Sequence, residues 1–302
     1  MHNESLQIQT VLYKMDHESL MRALDSLANT VRVDRECGAY FNRVTMVHGD
    51  ASPSPSFTKD EVAAITAKYA PWFEYKYIYF NENTGTSRGH NRMFEECTSD
   101  YLIVQNPDIQ YAPMFLQRMR EPFDRTDVKV GLTEARQVPM EHPKEYDENT
   151  KITPWATGAC FMTPSHVYKE VGGFDADLFF MYCDDVDLSW RIRLAGYELI
   201  YQPLAPVFHP KQLGSHGEWR PTSAEIFFSA EAELFMCYKF SFDKRLERLI
   251  SDFKKREEPE FAKAAETFLE RKRTGKLPPQ LDPNHEVAEI SDKGYAHCRY
   301  GL

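Results

Sequence analysis

Strand-like and helix-like patterns take turns along the first part of the chain, and that alternation sharply narrows the architectures open to it. LQIQTVLYK (6–14) reads as a strand, and DHESLMRALDSLANTV (16–31) sets Leu20, Ala23, Leu24 and Leu27 on one helical face. FNRVTMVHGD (41–50) is the next strand, and the Ser- and Pro-dense ASPSPS leads to a helix over about 58–69 and a strand FEYKYIYF (73–80). NENTGTSRGHNRMFEEC then supplies a Gly-bearing loop into a helix, and YLIVQ a buried strand that ends in Asn106, Pro107 and Asp108. Alternation of this kind implies βαβ units and a mainly parallel sheet, whose ligands sit at the carboxyl ends of the strands. Asp108, at a strand tip, is expected to point into that crevice.

Further along, residues 121–153 turn polar, with Pro122, Pro139 and Pro143, and read as a strand VKVGLTEA followed by a mobile acidic loop. WATGACFMTP (155–164) reads as a strand, SHVYKEVGGFD as a short helix and a Gly pair, and YELIYQPLAPVFHP as a strand that delivers His209. GSHGEWRPT reads as a loop, Ser223 to about Lys272 as helical, and the tail after Gly275, rich in Pro and charge, as poorly ordered. The expected division is an α/β domain over 1–222 and a C-terminal helical extension and tail over 223–302.

Bulk composition excludes several classes. At 302 residues and 42% hydrophobic content the chain can bury a core without crosslinks. Its six cysteines show no CxxC and no zinc spacing, which points to reduced thiols in a cytosolic protein and against a structural metal. A formal charge of −10 disfavours nucleic acid as a partner. No run approaches the length of a membrane span, and MHNESLQIQT lacks the basic and apolar regions of a signal peptide.

The densest chemistry lies in GGFDADLFFMYCDDVDLSWRIRLAGYE (172–198). Val186, Trp190 and Leu194 form a helical stripe, widened by Leu188 and Ile192, and Gly196 closes the helix. One of Asp184 and Asp185 can cap that helix, with Asp187 and Arg191 as a surface pair one turn apart. One cap needs only one aspartate, and two adjacent carboxylates beside Leu178, Phe179, Phe180, Met181 and Tyr182 would have a raised pKa suited to a base. From this stretch alone, capping and catalysis both stay open.

Taken with NTGTSRGHN (83–91), NPD (106–108), TGACFM (157–162) and PVFH (206–209), this segment resembles inverting glycosyltransferases of family 2 with the GT-A fold, and most closely their rhamnosyltransferase-like branch. Order and spacing match over roughly residues 6–240. The resemblance implies an α/β GT-A fold and transfer of a sugar, rhamnose favoured, from a dTDP- or UDP-sugar to a hydroxyl of a glycan or lipid-linked glycan in surface polysaccharide synthesis. The alternative it leaves is a non-catalytic module of the same fold that binds a nucleotide sugar.

The same resemblance assigns residues. Asp185 is the general base and Asp184, a Glu in most of this branch, tunes or orients it. Asp108 and His209 hold Mg2+ or Mn2+, with Asn106 standing where other members carry a first carboxylate. Thr10, Leu12, Tyr13, Asp50, Gly85 and Arg88 join Asn106 and Asp108 on the donor side, and Trp155, Gly158 and Ala159 line the acceptor side. Gly49, Asp50, Ala51 and Ser52 depart from the family's Asp-Asn-x-Ser, and Lys14 replaces a common Asn, so the base is a pyrimidine by preference only. Phe227, Phe228, Leu234, Phe235 and Met236 read as core, and the basic residues near 254–256 and 271–273 are interrupted by glutamates. A lipid-linked acceptor would place a cytoplasmic protein at the inner face of the membrane; peripheral membrane contact and homo-oligomerisation both stay open.

Overall fold

The computed structural model describes residues 3–38, 40–141, 145–210, 221–291 and 294. It runs β1 (Glu4–Leu12), α1 (His17–Glu36), β2 (Phe41–Asp50), α2 (Lys59–Tyr69), β3 (Glu74–Tyr79), α3 (Gly85–Phe94) and β4 (Tyr101–Gln105), the alternation expected from sequence with ends moved by a few residues. After β5 (Gln110–Tyr111) and α4 (Phe115–Arg120) come β6 (Val130–Val138), β7 (Cys160–Pro164), α5 (Ser165–Glu170), α6 (Asp184–Leu194) and β8 (Glu198–Phe208). Three helices follow, α7 (Ser223–Lys239), α8 (Asp243–Phe253) and α9 (Pro259–Arg273). The strand expected over 155–164 forms only from Cys160. Pro143 and most of the loop GSHGEWRPT lie outside the described residues.

The sheet order is β3-β2-β1-β4-β7-β6-β8-β5. β1 to β4 run parallel, β7 runs antiparallel to both β4 and β6, and β6 runs parallel to β8. It follows that β1, β2, β3, β4, β6 and β8 all end at one edge and β7 begins there. Asp50, the Asn106–Asp108 tip, the loop before β7 and His209 are therefore neighbours of the same edge.

Side-chain alternation along β1 shows how the layers are specified. Leu6, Ile8 and Leu12 enter one core with Leu20, Leu24, Leu27 and Val31 of α1. Gln7 and Gln9 face the other way, and their amides donate to the carbonyls of Met93 (3.2 Å) and His90 (3.0 Å) on α3, so these buried polar groups are satisfied.

Helix α6 is covered on two sides. Leu188 and Ile192 pack against the sheet with Phe161 and Leu199, whereas Val186 and Trp190 join the core built by α7 to α9. The stripe expected to run through Leu194 is corrected accordingly, since Leu194 is 38% exposed while burial wraps around the rest of the helix. Gly196, at φ +85°, closes the helix as expected: its amide donates to Arg193 O (2.9 Å) and that of Tyr197 to Ile192 O (3.3 Å).

Two further expectations are corrected. Asp187 and Arg191 are no surface pair: Asp187 is fully buried, Arg191 Nε donates to its Oδ2 at 2.8 Å, and Lys239 Nζ of α7 lies 2.6 Å from its Oδ1. Within the described part of the tail, Asp282 accepts from the amides of Glu286, Val287 and Ala288, and Ala288 is buried in the C-terminal core, so this part is tied to the fold; residues 292–293 and 295–302 lie outside the described residues. In α7, Leu234, Phe235 and Met236 are core, as expected, while Phe227 and Phe228 are half-buried and Phe228 stacks on Phe180 at 4.5 Å. Among the described residues no helix is long and apolar enough to cross a membrane.

Candidate active site

Two clusters form at the shared edge, and one short loop ties them together. At the first, the Asn106 amide leaves β4 and donates to Ala159 O at 2.9 Å, while the His209 amide leaves β8 and donates to Val138 O at 2.8 Å. These backbone bonds bring His209 Nε2 to 3.1 Å from Asn106 Nδ2 and 3.6 Å from Asp108 Oδ1. Gln137 Oε1 sits 2.9 Å from His209 Nδ1. With that oxygen accepting, the imidazole proton is on Nδ1 and the Nε2 lone pair faces Asn106 and Asp108.

Burial pushes the Asp108 carboxyl above its ordinary range, partly opposed by His209. A desolvated carboxylate beside an imidazole lone pair suits a divalent cation of the Mg2+ or Mn2+ kind, which completes its shell from water and phosphate oxygens. The protein contributes few ligands: among the described residues no three His, Cys, Asp or Glu gather around one metal position.

The second cluster opens α6. Tyr182 (φ +68°) and Cys183 (φ +55°) are consecutive left-handed residues, a conformation that side-chain-bearing residues adopt only at a cost. Cys183 occupies the N-cap, so neither Asp184 nor Asp185 is the cap expected from sequence; both lie in the first turn. Asp184 is buried, and its Oδ2 accepts from Thr86 Oγ1 (2.8 Å) and Ser87 Oγ (3.0 Å). Burial and the charge of Asp185 raise the Asp184 carboxyl to about 6, against the opposing pull of those two hydroxyls.

Asp185 is half-exposed, and its two oxygens accept from the amides of Gly158 (2.7 Å) and Val186 (2.8 Å). Gly158 and Ala159 are consecutive, so one loop binds Asp185 on one side and the Asn106–Asp108 tip on the other. Gly85 lets α3 approach. It has φ +64°, and a Cβ there would fall 2.3 Å from Phe180 O, the carbonyl that receives the Thr86 amide at 3.0 Å.

The remaining sequence-predicted residues take varied places. Thr10 and Leu12 are fully buried, while Tyr13 is 44% exposed beyond the end of β1. Asp50 is fully buried; its oxygens accept from the amides of Ser52 (2.9 Å) and Ser56 (2.7 Å) and from the Tyr77 hydroxyl. Burial pushes its carboxyl up, but those hydrogen bonds outweigh it and hold the group below the usual range. Asp50 thus braces the 52–56 loop. Arg88 is exposed and pairs with Glu82 at 3.0 Å. Trp155 belongs to the C-terminal core. Sequence reasoning missed Thr86, Ser87, Gln137 and Lys239; the hydroxyl pair at the start of a Gly-bearing helix was the available signal for the first two.

Residues 56–186 match the family model described as Glycosyl transferase family 2. Over that segment the chain is similar to glycosyltransferase family 2. The chain is 26% identical to the N-acetylglucosaminyl-diphospho-decaprenol L-rhamnosyltransferase of Mycobacterium tuberculosis over 39% of its own length and 49% of the relative's. It is 35% identical to the rhamnosyltransferase WbbL of Escherichia coli K12 over 24% of this chain and 26% of WbbL. The matches therefore span about half or less of these curated relatives. Among solved structures, GalNAc-T7 with UDP, GalNAc and Mn2+ superposes with a TM-score of 0.63 at 14% identity, covering 92% of this chain and 60% of that one. The shared fold is the GT-A arrangement, a curled and mostly parallel sheet with flanking helices, here followed by C-terminal helices.

Proposed function

We propose that this chain is a metal-dependent inverting glycosyltransferase that moves a sugar, rhamnose by preference, from a dTDP- or UDP-sugar to a hydroxyl of a glycan or lipid-linked glycan. The observation that carries this reading is the half-exposed carboxylate of Asp185, fixed by two backbone amides on the loop that also anchors the Asp108 tip. In a single displacement Asp185 takes the proton of the acceptor hydroxyl as its oxygen bonds to the sugar's anomeric carbon and the bond to the diphosphate breaks. Asp184, held by Thr86 and Ser87, keeps a second carboxyl beside the base and sets the proton count of the pair. Asp108 and His209 would hold the divalent cation, which when bound neutralises charge on the departing diphosphate.

The backbone of Gly158 and Ala159 lines the acceptor side, and Trp155 supports that loop from the core. Tyr13 offers an exposed ring at the nucleotide end. The relatives' names favour rhamnose and a diphosphate-linked lipid acceptor, and the UDP and Mn2+ of the GalNAc-T7 structure favour a nucleotide-sugar donor with a cation. Work on a lipid-linked acceptor would bring the chain to the inner face of the membrane.

The test is donor hydrolysis and binding across a panel of nucleotide sugars with Mg2+ or Mn2+, using Asp108→Ala and Asp185→Asn as controls. Turnover of one donor, lost in both variants, is the expected result. Cation-dependent binding of a donor with no turnover, even against a broad acceptor panel, would favour a non-catalytic binding module instead.

A further inference from the structure

Asp175 and Asp187 bracket the segment that delivers the crevice acids. Between them lie Phe180, whose carbonyl receives the Thr86 amide, the left-handed Tyr182 and Cys183, and then Asp184 and Asp185. One ammonium group reaches both ends. Lys239 Nζ, on the last residue of α7, is 2.6 Å from Asp175 Oδ2 and 2.6 Å from Asp187 Oδ1, with 4% of its side chain exposed. Arg191 engages the other oxygen of Asp187 at 2.8 Å and donates to Val171 O at 2.6 Å, beside the Gly172–Gly173 turn from which the segment departs. Phe240, next after Lys239, packs edge-on against Trp190 at 4.8 Å.

Consecutive left-handed residues persist only where their surroundings over-determine them. A segment pinned at both ends by one buried cation meets that condition, and the pin comes from the C-terminal helices. We propose that Lys239 is a positioning residue for Asp184 and Asp185: by joining Asp175 to Asp187 it fixes where the first turn of α6 presents the two acids. The proposal rests on the glycosyl-transfer reading above and deepens it. It also makes the C-terminal helices part of the catalytic unit, so that a cut at residue 222 would not release a competent domain.

The test uses the full chain with Lys239→Met and the milder Asp175→Asn, whose aspartate is 22% exposed and whose loss leaves Asp187 paired. Three quantities are read: kcat and KM for donor hydrolysis, the stoichiometry of UDP or dTDP binding with Mn2+, and hydrogen exchange at the Gly158 and Val186 amides. Misplacement of a reacting group by about 1 Å costs about 10²-fold in rate. Lys239→Met is expected to lose kcat on that scale, with donor KM within about twofold and full nucleotide stoichiometry, and Asp175→Asn to lose less. Both Asp185-linked amides should exchange faster in Lys239→Met.

Wild-type kcat in a folded Lys239→Met protein would overturn the proposal. So would a parallel fall of kcat and nucleotide stoichiometry in both variants, because the cluster would then serve only the fold. Should the wild type turn over no donor, the glycosyl-transfer reading fails by itself, and unchanged exchange at Gly158 and Val186 would separately remove the positioning role.

Discussion

One turn of α6 carries carboxylates of two kinds. Asp184 accepts from the hydroxyls of Thr86 and Ser87, and Asp185 has the backbone amides of Gly158 and Val186 among its partners. Asp187, two residues on, meets the guanidinium of Arg191 and the ammonium of Lys239 and is fully buried. Between Asp184 and Asp187 the difference is one of neutral donors, which stabilise a charge without cancelling it, and cations, which cancel it. A carboxyl held by neutral donors next to a like charge keeps its proton equilibrium within reach of physiological pH, as the raised Asp184 shows. A carboxylate enclosed by two cations is a joint between helices.

The contrast can be broken most directly at Asp185. Asp185→Asn is expected to lower turnover about 10²- to 10⁴-fold with a melting temperature close to wild type, the range for loss of a general base. Unchanged turnover would place the base elsewhere. Asp187→Ala should do the reverse in kind. Leaving Arg191 and Lys239 without their buried carboxylate is expected to cost about 3–5 kcal/mol in urea unfolding, and a cost below about 1 kcal/mol would show that the joint is dispensable.

A smaller effect sharpens the comparison from the pH side. Because the folded Asp184 carboxyl is raised to about 6, it is protonated below that pH and ionised above it, so turnover should climb as pH rises through this region and the pair loses its last proton. The Ser87 hydroxyl stabilises the ionised form. Ser87→Ala should therefore move the climb to higher pH, and a shift to lower pH would contradict the assigned hydrogen bond. The smallest change is expected at the exposed Arg88–Glu82 pair: Arg88→Ala should alter stability by less than about 1 kcal/mol. A tenfold loss of donor affinity in that variant would instead give Arg88 a place at the diphosphate.

How much of this was legible beforehand differs between fold and site. The period-2 and helical patterns of β1 to β4 and α1 to α3 could be read because each is local. α4, Phe115–Arg120, was not expected from sequence, although α5, equally short at Ser165–Glu170, was. The single helical stripe predicted for α6 was incomplete because its second covering layer comes from α7, far along the chain. Asp108 and His209 could be placed at one crevice because a parallel sheet sends strand tips to one edge, and they do meet there, at 3.6 Å. The roles of neighbouring aspartates could not be separated in the same way. Asp184, Asp185 and Asp187 look alike in sequence, and their partners lie 98 residues before (Thr86), 27 before (Gly158) and more than 50 after (Lys239).

By itself, then, the sequence determined the α/β alternation, the sheet edge at which the candidate residues gather, and the family that the acidic motifs resemble, because these follow from local periodicity and from motifs in order. Tertiary structure alone decided which aspartate is paired with cations, which is raised by burial and which stays partly exposed. That decision depends on which distant donor or cation arrives at each carboxylate, and on how much water is excluded when it does.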